Sequence, residues 1–94
     1  MDFDFQEHRK RFQQNLIDFL NAHLDLGFTF CSSAELEMES DVGRKDEGEY
    51  SLFKENAQTA LETVRKFEGR IADSEIWAKI HARADELEKL IECL

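Results

Sequence analysis

The sequence predicts an all-α fold. It reads as a single domain, residues 1–94, folded as an antiparallel three-helix bundle with a long first helix (about 4–40, 46–68 and 74–93). Three observations carry that expectation. Pro is absent and Gly occurs only 4 times in 94 residues, and Val42 and Val64 are the two valines, so turn formers and β-branched residues are scarce. Apolar residues recur at helical spacing in three separate segments. A helix-start signal precedes each segment.

The first helix opens at Asp4 with Glu7 three residues on, a capping box in which each side chain satisfies an orphan amide. Its puzzling stretch is LGFTFCSS, residues 26–33, which carries no charge and resembles an inserted strand. At about 100° per residue, however, Phe12, Leu16, Phe19, Leu20, His23, Leu26, Gly27, Phe30, Cys31, Ala34 and Met38 fall on one broad face without a phase break. Strand alternation fails within a few residues of the same stretch. One helix of roughly 35 residues, about 50 Å long, is therefore expected to end at Gly43.

The second helix opens at Asp46 with Glu49 and closes at Gly69. Its seam is Phe53, Ala57, Ala60, Val64 and Phe67, with alanines at the centre where a neighbour can approach closely. The third opens at Asp73 or Ser74 and presents Ile76, Ile80, Ala84, Leu87, Ile91 and Leu94, with Trp77 and Leu90 at the edges. Short connections make neighbours antiparallel. A first register then sets Trp77 level with His23 and Ile80 level with Gly27, so Gly27 marks a close helix approach. Cys93 falls about 12 Å beyond Cys31, too far for a disulfide.

The formal net charge is −9, which opposes binding to a phosphate backbone, so no nucleic-acid partner is expected. No apolar run approaches the ~20 residues of a membrane span. The opening MDFDFQEHRKR lacks the apolar core of a secretory signal, and Cys31 and Cys93 fit no metal spacing. A cytoplasmic protein with two reduced thiols and no cofactor is the expectation.

No constellation announces catalysis. His8, His23 and His81 are scattered, with neither ExxH nor HExxH. His81 and Asp85, one turn apart, read as a local ion pair before a metal or catalytic pair. His23 reads as a half-buried structural histidine, and Cys31 as a small apolar filler in a core face. The run His8-Arg9-Lys10-Arg11 could bind an anionic partner, although a solvated helix end is the simpler reading. In outline the chain is similar to the helical chorismate mutases. Those hold a dicarboxylate with basic residues inside the bundle, whereas no Lys or Arg occurs here between Phe12 and Gly43. The enzyme reading is set aside on that ground.

Two stretches resemble tetratricopeptide-type hairpins. Leu26-Gly27 followed by Phe30 is similar to that repeat's Leu-Gly and aromatic positions, and GEYSLFKENAQTALETV, residues 48–64, to its second half, with Gly48, Tyr50 and Ala60-Leu61 at matching places. Gly27 and Gly48 stand farther apart than the repeat spaces them, so helix one overruns it. HARADELEKL, residues 81–90, resembles the last helix of three-helix MIT domains. These resemblances imply a module that offers a groove to a peptide or helix and has no enzymatic activity.

Ile17, Leu24 and Phe28 fall off the main face of helix one and form a second stripe. Helix one also overhangs helix two at its N-terminal end, where Phe5, Phe12 and Leu16 would lack cover and Phe3 adds apolar area. The expected function is protein–protein interaction. Homodimerisation through Phe5, Phe12, Leu16, Ile17, Leu24 and Phe28 comes first. An adaptor that binds a helical peptide of another protein is the alternative, and a small helical enzyme is a distant third.

Overall fold

The computed structural model describes residues 5–39 and 47–94, with side chains at 5–36 and 49–94. It is a three-helix bundle: α1 spans Phe5–Glu39, α2 Glu47–Phe67 and α3 Ser74–Glu92. A single 3-10 turn, Glu68–Arg70, follows α2 directly. The expected boundaries hold to within a residue or so. The caps at Asp4 and Asp46, the stop at Gly43 and the side chain of Met38 lie outside the described residues. Asp73 caps α3 as expected, its carboxylate accepting from the amides of Glu75 and Ile76 at 2.9 and 3.1 Å.

LGFTFCSS is helical throughout, as its unbroken phase requires. The core seam of α1 runs through Leu20, Leu24, Gly27, Cys31 and Ala34, spaced 4, 3, 4, 3, and all five are buried. Opposite lie Ala57, Ala60 and Val64 of α2 and Ile80, Ala84, Leu87 and Ile91 of α3. Gly27 is the crossing point. A Cβ placed there would sit 2.5 Å from Leu87 Cδ2 and 3.5 Å from the Ala60 Cβ, so both neighbouring helices close on it.

Three expectations are corrected. Gly69, expected to close α2, lies inside the 3-10 turn, which carries the chain on past Phe67 before it reverses. That extension shifts α3. Gly27 meets Leu87 rather than Ile80, a slide of seven residues or about 10 Å. Gln13 fixes where the chain reverses: its amide Nε2 donates to the Arg70 carbonyl at 3.0 Å, and its Oε1 accepts from the Ala72 amide at 2.9 Å. Ile71, between those two bonds, is buried in the core.

The third correction concerns which half of α1 faces inward. Leu24, expected on the outer stripe, is fully buried, whereas Phe19 and Leu26, expected in the core, are exposed. The apolar arc of α1 covers about 200°, more than two neighbours can bury. The half that packs is the one with Gly27, Cys31 and Ala34, where small side chains let the alanines of α2 come close.

Candidate functional site

Leu24 therefore leaves the candidate surface. The rest of the Ile17/Leu24/Phe28 stripe is also largely covered from within the chain. Ile17 and Phe28 are partly buried against the core, as is Leu16. Phe28 is roofed by α3: the Arg83 guanidinium lies 5.6 Å from its ring centroid. Arg83 is itself held by α1, donating to Asn21 Oδ1 at 2.8 Å and to Asp25 Oδ1 at 2.7 Å. One cation thus ties α3 to α1 and shields the aromatic ring between them.

What stays open lies on the other side of α1. Phe5, Phe12, Phe19 and Leu26 are 72%, 56%, 43% and 48% exposed and stand seven residues apart. They lie about 90° round the helix from the core seam, on the side of α1 away from Asn21, where Arg83 is tied. Three residues after each comes a second exposed set, His8, Asn15, Ala22 and Thr29, and Leu36 continues it. These nine positions include no Asp, Glu, Lys or Arg. The pattern is a second heptad seam, with large side chains at one position and small or polar ones at the other. Beside it, Phe19 packs on the imidazole of His23 at 4.2 Å and edge-on to Phe67 of α2 at 6.1 Å. The N–H at Nδ1 of His23 donates to the Phe19 carbonyl at 2.9 Å, because a carbonyl can only accept, so His23 is structural. Its expected neighbour Trp77 lies elsewhere.

The N-terminal overhang is present. Beneath it runs an open groove of ≈ 660 Å³, with Arg9 and Lys10 at its rim, Phe12 and Ile17 on α1, and Ala72 and Ile76 across from them. This is where the first of the cations in the His8–Arg11 run come to lie.

A separate polar cluster joins α2, the 3-10 turn and α3. Arg65 donates to Asp85 Oδ1 at 2.6 Å and reaches Glu88 Oε2 at 3.4 Å. Glu68 is buried; its Oε1 accepts from His81 Nδ1 at 2.8 Å, while its Oε2 has Arg65 Nη1 at 3.6 Å and no hydrogen bond. Trp77 stacks on the His81 ring, centroids 4.6 Å apart. The expected His81–Asp85 ion pair is present, Nε2 to Oδ2 at 3.6 Å, too long for a hydrogen bond; Arg65 makes the hydrogen bond to the other carboxylate oxygen. That hydrogen bond is the main reason the Asp85 carboxyl is held below the usual carboxylate range and the Arg65 guanidinium above its own. With its cation placed among three carboxylates, the cluster works as a staple between helices. Among the described residues, no group of three or more His, Cys, Asp or Glu is placed to hold a metal ion.

Both cysteines are free, Cys31 buried and Cys93 exposed. Burial, helped by Glu35, pushes the Cys31 thiol up, which disfavours the thiolate needed of a nucleophile. Among the described residues no helix is long and apolar enough to cross a membrane. Comparison with family models, with curated proteins and with solved structures finds no match for this chain.

Of the six residues expected at an interface, Phe5 and Phe12 are the two that lie openly on the surface. Phe19 and Leu26, expected in the core, share the open surface with them. Their seven-residue spacing with Phe5 and Phe12 is the sequence signal, masked because Phe12, Phe19 and Leu26 also fit the broad core face.

Proposed function

We propose that this chain is a non-enzymatic protein–protein interaction module that self-associates into a homodimer through the outer face of α1. The observation that carries the reading is the exposed heptad seam of Phe5, Phe12, Phe19 and Leu26 along one side of a 35-residue helix. Scattered exposed apolar residues are ordinary on any protein; a periodic, uncharged row of aromatics is the pattern of a helix–helix contact. Packing of the outer seam would bury the large apolar side chains that the three-helix core leaves in water. The reading needs no cofactor, and two free thiols suit a reducing, cytoplasmic setting.

One observation favours a second reading. The groove under the overhang has an apolar floor and two cations at its rim, which suits an amphipathic peptide carrying acidic residues. That would make the chain an adaptor of the kind that its tetratricopeptide-like and MIT-like stretches imply.

Sedimentation velocity across a range of concentrations tests the first reading. A boundary that moves from monomer to dimer as concentration rises is the expected result. A single monomeric species at every concentration up to about a millimolar would leave the adaptor reading as the better one.

A further inference from the structure

We propose that α1 pairs with α1 of a second copy in antiparallel orientation, about a two-fold axis level with Ile17. The inference rests on the self-association reading above and gives that contact its direction and register.

The seam alternates in size. Phe5, Phe12, Phe19 and Leu26 are large, and the residues three further on, His8, Asn15, Ala22 and Thr29, are small or polar. In a parallel pair each layer repeats itself: Phe12 meets Phe12, and Asn15 meets Asn15 one layer on. Crowded layers then alternate with voids, and both are destabilising. An antiparallel pair sets the two classes against each other. Phe12 faces Ala22 of the second copy, Phe19 faces Asn15, Phe5 faces Thr29 and Leu26 faces His8. Large side chains then fill the space that small ones leave, layer after layer.

Charge selects the same arrangement. Arg11 and Asp25 lie on one flank of the seam, fourteen residues apart and both exposed; Asp25 Oδ1 already accepts from Arg83, so Arg11 of the second copy would share that carboxylate. Antiparallel pairing in this register brings Arg11 of each copy beside Asp25 of the other, at both ends of the contact. A parallel pair would leave Arg11 beside Leu16 and Asp25 beside Phe30. Sliding the antiparallel pair one heptad toward greater overlap would oppose Asp18 to Asp25 twice. In the proposed register a single like-charge contact remains, Asp18 against Asp18 across the axis, and an isologous interface makes that self-contact unavoidable.

Cysteine cross-linking tests the pairing in the full chain. Cys93→Ser removes the exposed thiol, and Cys31, being buried, stays silent under brief labelling. In that background Asp18→Cys places two thiols together across the axis, while Thr29→Cys separates them by about 36 Å. With a short bis-maleimide, the Asp18→Cys chain is expected to run as a covalent dimer and the Thr29→Cys chain as a monomer. Cross-linking at Thr29→Cys, with or without Asp18→Cys, means a parallel pair and overturns the proposal. Cross-linking at neither, with a dimer mass in light scattering, places the contact on another surface and also overturns it, while self-association survives. Cross-linking at neither, with a monomer mass, removes self-association itself. A second variant reads the register: Asp18→Asn relieves the like-charge contact and is expected to tighten the dimer several-fold. Weaker association of Asp18→Asn would mean that Asp18 faces a cation, and the register would be wrong.

Discussion

Leu24 and Phe12 are both large apolar residues on the same helix, yet one is sealed in the core and the other lies in water. Leu24→Ala removes buried methyls among close-packed neighbours and is expected to cost about 2–5 kcal/mol in urea unfolding. Phe12→Ala is expected to change monomer stability by less than about 0.5 kcal/mol. Gly27 depends on Leu87: a methyl there overlaps a fully buried side chain that has little room to turn away. Gly27→Ala gains about 1 kcal/mol of helix propensity and is expected to lose more than that to overpacking, for a net loss near 1 kcal/mol. The thiols give a quick check on the same packing. Cys93 is expected to react at once with a thiol reagent, and Cys31 only when the chain unfolds. The identity of the filler residues was legible in the sequence, because Gly27, Cys31 and Ala34 share one face with helical spacing. The burial of Leu24 was not: it depends on which half of a 200° apolar arc the neighbours choose, and no periodicity in α1 alone decides that.

The helices themselves were readable to within a residue or so, and their relative register was not. The reason is local. Glu68–Arg70 adds a 3-10 turn to α2 without a clear sequence mark, and the reversal is then anchored by Gln13, 57 residues away from Arg70 in sequence. A glutamine that satisfies a loop carbonyl and a loop amide at once is a tertiary device that helix patterning cannot reveal. Gln13→Ala removes both bonds and is expected to lower stability by about 1–3 kcal/mol. Hydrogen exchange at the Ala72 amide should speed up before exchange in the centre of α3 does. Arg83 is the corresponding tie on the far side of α1, and it settles what covers Phe28. With α3 held there, the seam of Phe5, Phe12, Phe19 and Leu26 is left facing out.

The molecule as a whole is a rod, 66 × 25 × 16 Å, with a net charge of −9. Two consequences follow from charge. The first concerns the Arg65 staple. Because the folded protein holds the Asp85 carboxyl below its ordinary value, the folded state takes up that proton less readily than the unfolded chain. The contribution is complete above the ordinary aspartate pKa of about 3.9 and is lost as pH falls through the lower folded value. The gap in urea midpoint between the native chain and Asp85→Asn is therefore expected to be open at pH 7 and to close toward pH 3. The second concerns assembly. Two copies repel at long range, so a dimer held by an uncharged seam is expected to tighten as salt rises from about 20 to 200 mM. The central claim is that the outer seam of α1, and no other surface, holds two copies together. Light scattering on the native chain and on a Phe12→Glu/Leu26→Glu variant, with the helical circular dichroism of each recorded, tests it most directly. The account expects a dimer for the native chain and a fully helical monomer for the variant. A variant that remains a dimer, or a native chain that is a monomer at every concentration, would contradict it.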